Sequence, residues 1–163
     1  MNWRSAHGAR LDTTFELEYN RFDLPPDHLL SQTQSGSRVH ALGAVSKTFG
    51  DAGWWITPKL SVNAARYRTN TPMSDGRSLA SRAIPSLSLD HGLVFERPVQ
   101  WLSQSWRQTL EPRLLYVNTP YRDQSALPNY DSALKDFNID SIFTDDLFTG
   151  IDRVSDANQL TAG

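Results

Sequence analysis

Apolar and polar residues alternate with a period of two along most of this chain. The cleanest stretch is residues 11–22. There Leu11, Thr13, Phe15, Leu17 and Tyr19 fall on one side and Asp12, Thr14, Glu16, Glu18 and Asn20 on the other. Side chains of an extended backbone point alternately to opposite faces, whereas a helix would mix these two sets, so the pattern predicts a strand. The same reading predicts strands over 38–49, with Val39, Ala41 and Val45 on one side, and over 54–68. In the latter, Trp54, Ile56, Leu60, Val62 and Ala64 oppose Thr57, Lys59, Ser61 and Asn63. A fourth strand is expected over 83–97, with Leu87, Leu89, Leu93 and Phe95 against Ser86, Ser88, Asp90 and Glu96. A fifth is expected over 106–117, with Leu110, Leu114 and Tyr116 against Thr109, Glu111 and Arg113. Residues 157–163 read as a further strand that has barely begun. The expected fold is all-β and antiparallel, about five to six strands cut from a larger sheet, with residues 1–163 forming one unit and no second domain.

The connections alternate in length. Residues 23–36, 69–81 and 118–156 are long, polar and punctuated by Pro, Gly, Asn and Asp, whereas 50–53 and 98–105 are short. A membrane barrel shows this asymmetry, with turns on the periplasmic rim and loops on the extracellular one. Aromatic residues sort the same way: Phe49, Trp54, Trp55, Trp101 and Trp106 lie near the short turns, and Tyr19, Phe22, Tyr67, Tyr116 and Tyr121 near the long loops. Two such belts are what bilayer interfaces select. Pro58, Pro85 and Pro112 fall inside expected strands, where each removes a ladder donor, so they are expected at bulges or outside the hydrocarbon band.

Charge and composition narrow the function classes. A formal charge of -2 and a pI near 6.0 give no basic face for nucleic acid, and there is no cysteine. The mean hydropathy of -0.48 suits either a water-soluble β protein or a barrel that exposes every second residue to lipid. Glu16 and Glu18 share a face about 6.5 Å apart, near the separation of paired carboxylates in inverting glycosidases. With no cleft beside them, they read as a hydrated acidic wall. Glu111 and Arg113 form a second same-face pair, expected to act as a cross-lumen charge or a salt-bridge partner. Asp140, Asp145, Asp146, Asp152 and Asp156 do not match a calcium-loop spacing and read as solvated surface. His7, His28, His40 and His91 lack metal-ligand spacing, and no nucleophile elbow, phosphate loop or dinucleotide turn is present. Neither an enzyme nor a bound cofactor or metal is indicated.

The wording of the C-terminal half is distinctive. The run QTLEPRLLYVNTPYRDQSALPNY at 108–130, NYDS at 129–132 and FTGIDRVSDANQLTAG at 148–163 closely resembles the lipopolysaccharide-assembly family LptD, also called organic solvent tolerance proteins. A looser likeness runs back through VFER at 94–97, GSRVH at 36–40 and RFD at 21–23. The resemblance implies the central part of a large transmembrane β-barrel in the outer membrane of a Gram-negative bacterium. It implies lipopolysaccharide as cargo, an LptE-like lipoprotein plug in the lumen, and a periplasmic Lpt bridge reached through an N-terminal domain that has no counterpart here. On that reading Leu11, Phe15, Leu17, Leu60, Val62, Leu87, Leu89 and Leu114 face lipid. Glu16, Glu18, Asn20, Lys59, Ser61, Asn63, Ser86, Ser88, Asp90, Glu111 and Arg113 face the lumen. Tyr121, Arg122, Asp123, Asn129, Tyr130 and Asp152 belong to an extracellular loop over it. The alternatives are a pore or nutrient-receptor barrel, and a soluble carbohydrate-binding β-sandwich.

Overall fold

The alternating stretches become long strands in the computed structural model, which describes residues 3–4, 10–23, 34–102, 104–136, 138 and 141–163. In chain order the strands are β1 (Trp3–Arg4), β2 (Arg10–Phe22), β3 (Gly36–Gly50), β4 (Trp54–Thr69), β5 (Leu79–Leu93), β6 (Phe95–Trp101), β7 (Gln104–Leu110), β8 (Arg113–Thr119) and β9 (Ala157–Ala162). Seven of them form one sheet in the order β1-β2-β3-β4-β5-β8-β9, and β6 pairs with β7. Every pairing is antiparallel. The sheet is open: β1 and β9 are its edges, and it does not close on itself as a barrel. Most of the long 23–36 connection, with His28, lies outside the described residues, as do His7 and Asp140.

Strand pairing corrects the expected boundaries at the second short connection. Residues 98–105, expected to be a turn, belong mostly to β6 and β7. The register of β5 with β8, from Leu87↔Asn118 to Gly92↔Arg113, continues unshifted into β6 with β7, from Phe95↔Leu110 to Trp101↔Gln104. The two pairs are therefore one hairpin, interrupted where Pro112 has no N–H and where the Val94 amide turns to Gly53 O at 2.8 Å. The Leu93 amide still reaches Pro112 O at 3.0 Å across the interruption. Leu102 takes a left-handed φ of 48° at the tip, the conformation that a tight hairpin turn demands. Since β4 stops pairing at Trp54↔Leu93, the tip projects beyond the sheet rim by roughly 25 Å, eight residues of extended chain.

The prolines are accommodated without bulges. Registers on both sides of Pro58 are the same, Ser46↔Lys59 and Phe49↔Ile56, and only the rungs between them are missing. A side-chain contact, Thr48 Oγ1 to Thr57 Oγ1 at 3.0 Å, bridges the gap. Pro85 pairs with Val62 but lies beyond the last β5–β8 rung at Leu87↔Asn118, so no ladder donor is needed on that side. Pro112 lies between β7 and β8.

The core sits on one face only. Ala65 and Tyr67 of β4 pack with Leu127 of the 120–156 segment, and Ala80 and Tyr130 close against them. Among the described residues, none forms a second layer on the opposite face. The described residues thus do not form the two packed sheets that a β-sandwich requires.

Candidate functional site

Register sorts the side chains into two surfaces. Cross-strand partners lie on the same face, so Leu17, Ala41, Ala64 and Ala83 make one row of the outer face. Glu18, His40, Ala65 and Arg82 make a row of the inner face. Every exposed large hydrophobic side chain described in the seven-stranded sheet lies on the outer face. Phe15, at 77% exposure, and Leu17, Leu60, Val62, Leu87, Leu89 and Leu114 are among them, whereas Leu11 is half-buried. A continuous exposed apolar surface of this kind marks a site of contact with protein or membrane.

The inner face gathers Glu16, Glu18, Asn20, Lys59, Ser61, Asn63, Ser86, Ser88, Asp90 and Arg113. Glu111 is not part of that wall: it lies between β7 and β8, exposed. Arg113 forms its salt bridge with Asp90 instead, its Nε and Nη2 donating to the two carboxylate oxygens at 2.9 and 2.8 Å. Cross-strand geometry makes Asp90 and Arg113 diagonal neighbours on one face, their direct partners being Leu115 and Gly92, while Glu111 lies outside the paired strands. His40 Nε2 contacts Asn63 Oδ1 at 3.1 Å, and Thr119 Oγ1 donates to Ser86 Oγ at 2.8 Å.

The 120–156 segment folds down onto this polar face. Asp152, expected to be solvated, is fully buried and is the centre of the arrangement. Its Oδ1 accepts the Tyr67 hydroxyl proton at 2.9 Å and lies 2.7 Å from Arg38 Nη1. Its Oδ2 accepts the amides of Tyr130 and of Asp131. Arg38, only 2% exposed, also donates through Nη2 to Asp131 Oδ2 at 2.8 Å and Asn20 Oδ1 at 3.0 Å, with Glu18 at 3.7 Å. Arg82 donates to Ile151 O at 2.6 Å, and Arg153 donates to the carbonyls of Leu127 and Pro128. Lys59 pairs with Asp145, and Asp146 Oδ1 accepts the amides of Phe148 and Ser155. Burial alone would raise the Asp131 carboxyl. The Arg38 guanidinium and the Ile151 amide outweigh it and hold the carboxyl below its ordinary 3.8.

Phe22 stacks on Tyr130 with ring centroids 3.7 Å apart, and Tyr67 is fully buried beneath the segment. Trp55 lies under the Arg113 guanidinium at 5.8 Å. These three aromatic residues therefore face inward, correcting the two-belt expectation for them. Their parity already matched that of Glu18 and Lys59, and proximity to a rim does not say which face a ring occupies. Of the other expected loop residues, Tyr121, Arg122, Asp123 and Asn129 are exposed and Tyr130 is half-buried. Arg38, Tyr67, Asp131 and Arg153 have central places that the alternation did not assign. For Arg38 and Tyr67 the signal was a charged or phenolic side chain sharing parity with the polar wall; Asp131 and Arg153 lie outside the strands, where parity assigns nothing.

Comparison with known proteins completes the description. The family model for LptD, LPS transport system D, matches residues 1–163. The chain is 45% identical over 152 residues to the LPS-assembly protein LptD of Albidiferax ferrireducens, covering 93% of this chain and 19% of that protein. It is 44% identical over 156 residues to the protein of the same name from Polaromonas sp., covering 96% and 19%. Against that of Ralstonia nicotianae it is 41% identical over 157 residues, covering 93% and 19%. The chain spans about a fifth of the length of these relatives, and it belongs to the LptD family, LPS transport system D.

Proposed function

We propose that this chain is a wall segment of an outer-membrane β-barrel that moves lipopolysaccharide to the outer leaflet and assembles it there. The observation that supports this most directly is the two-faced sheet. Among the described residues its exposed apolar side has no second layer of protein, while its polar side is covered by the chain's own long segment. In a bilayer the exposed side contacts acyl chains, and closure of the backbone ladder removes the open edges. Strands from the remainder of a longer protein would complete that closure around β1 and β9.

The reading is one of transport and assembly, with no bond-making chemistry assigned to any side chain. Leu11, Phe15, Leu17, Leu60, Val62, Leu87, Leu89 and Leu114 meet lipid. Glu16, Glu18, Asn20, Lys59, Ser61, Asn63, Ser86, Ser88, Asp90 and Arg113 line the lumen. The 120–156 segment covers the extracellular end, and its exposed Tyr121 is the position from which it would touch an LptE-like plug. The periplasmic Lpt bridge would be engaged by a domain outside this segment.

Single cysteines in the full-length protein test the wall. A water-soluble maleimide is expected to label Ser61→Cys and Ser86→Cys in intact outer membranes and to spare Leu60→Cys and Leu87→Cys. Labelling of the leucine positions as fast as the serine positions would sink the reading. A photo-crosslinker at Tyr121 is the companion test for the plug, and failure to capture a lumenal partner would remove that contact.

A further inference from the structure

Charge on the outer face is distributed in a way that hydrocarbon contact alone does not require. Among the described residues of β2, β3, β4, β5, β8 and β9, the outer face contains no Asp or Glu; the strand carboxylates Asp12, Glu16, Glu18 and Asp90 are all on the inner face. Outer-face cations occur only towards the two ends of the strands. Lys47 lies at the short-turn end, its ammonium 4.8 Å from the Phe49 ring centroid. Arg21, Arg66 and Arg68 lie at the long-loop end, and Arg21 is paired with Asp23 of the adjoining loop at 3.2 Å. Arg66 and Arg68 are exposed, and no carboxylate partner is assigned to either among the described residues.

Register places the three arginines together. Arg68 pairs with Ser37, which pairs with Arg21, so two strand spacings, about 10 Å, separate Arg21 from Arg68. Arg66 is two residues from Arg68, about 6.5 Å along the strand, between Val39 and Ser81. Directly below, on the apolar side, is a shallow cavity of about 400 Å³ lined by Val39, Ala41, Ala64, Arg66, Ser81 and Ala83. A guanidinium pair with free donors, above an apolar recess and with no carboxylate on its face, is complementary to an anionic headgroup whose tails run down the wall. Guanidinium favours phosphate because its planar donors meet two oxygens at once.

We infer that Arg66 and Arg68 bind the phosphate of a membrane lipid seated against the outside of the wall, its acyl chain in the recess beside Ala41 and Ala64. This rests on the reading of the outer face as lipid-facing and goes beyond it, because the lipid is held at a defined place on the exterior and not merely tolerated there. Ser37 and Ser81, in register beside the arginines, add hydroxyl donors for the same oxygens.

The test uses the full-length protein, purified and delipidated in detergent, titrated with diphosphorylated lipid A and with its enzymatically dephosphorylated form, and read by native mass spectrometry. At about 1 kcal/mol for each basic residue near an anionic lipid surface, R66Q/R68Q is expected to lose roughly thirtyfold in affinity for the phosphorylated lipid. K47Q should bind as the unsubstituted protein does, and R66K/R68K should recover only part of the loss, because an ammonium keeps the charge but not the planar pair of donors. Equal binding of the two lipid forms, equal binding by R66Q/R68Q, or displacement of the lipid by millimolar inorganic phosphate alone would each overturn the inference. Leu60→Trp, introduced with and without R66Q/R68Q, is measured in vesicles containing brominated phospholipid. Quenching in both with no phosphate dependence removes only this site, whereas no quenching in either removes the membrane reading itself.

Discussion

The two longest excursions from the sheet hold their shape by opposite means. The described residues of the 120–156 segment contain almost no regular structure: a short 3-10 turn at Ser141–Phe143 and one isolated bridge, Leu134↔Phe148. It is nevertheless tied to the wall through Arg38, Tyr67, Arg82 and Lys59. The β6–β7 hairpin is regular along both paired strands, yet its described side chains are largely exposed, and its polar ties, Arg97 to Gln108 at 2.7 Å and Arg107 to Glu96 at 3.3 Å, are within itself. Regular backbone and integration into the fold are thus separate properties. A ladder needs only its partner strand, whereas an irregular segment needs side chains from elsewhere to satisfy its amides and carbonyls.

Asp152→Asn should separate the two regions most sharply. It removes the fully buried one of the two carboxylates that meet Arg38 within 3 Å and leaves the part-exposed Asp131, so about 2–3 kcal/mol is expected, less than for a buried charge left alone. Trypsin should cut at Arg122 and Lys135 far faster in the folded full-length protein, with cleavage at Arg107 unchanged. Equal protection of the segment in the variant would show that its irregular backbone holds without the central carboxylate. Gly36→Ala comes next. A Cβ there would lie 2.4 Å from Arg68 O and 2.9 Å from the Tyr130 hydroxyl, so β4 or the segment must shift. A loss of about 1–3 kcal/mol in urea unfolding is expected, the usual cost of overpacking.

Tyr67→Phe is smaller because it deletes one donor to Asp152 and leaves the ion pair; about 1–2 kcal/mol is expected, read as faster amide exchange at Tyr130 and Asp131. Acidification is a further probe. The Asp131 carboxyl is held below 3.8 when folded, so its contribution is fully present above that value and is lost as pH falls through the lower folded value. Segment protection should be flat from neutral pH to the ordinary carboxylate range and should fall only below it. Loss of protection already near pH 6 would point to a different group. Arg97→Gln should do least: a change within about 0.5 kcal/mol, confined to the hairpin, because the lost bond to Gln108 is exposed to water.

How much of this was legible in the chain depends on how far apart the interacting residues are. Leu60 and Ser61 already declare opposite faces by standing next to each other. The same parity held the answer for Tyr67 and Trp55, and position near a rim misled because it ignores which way a side chain points. Arg38 shows where reading stops. Its parity places it on the polar wall, but its partner Asp131 lies 93 positions away across connections of undetermined path. Any of several aspartates in the 118–156 stretch could have met it, and the choice decides which one is buried.

By itself the sequence determined the strands, their two faces and the family, because period two is a property of local backbone geometry and the family is carried by runs of consecutive residues. Tertiary structure alone decided that Asp152 is buried instead of solvated, that Asp90 and not Glu111 answers Arg113, and that residues 95–110 prolong a hairpin. Each of those outcomes depends on pairing between distant segments, where a buried charge must be matched and a ladder must keep its register, and neither requirement leaves a mark on one stretch read alone.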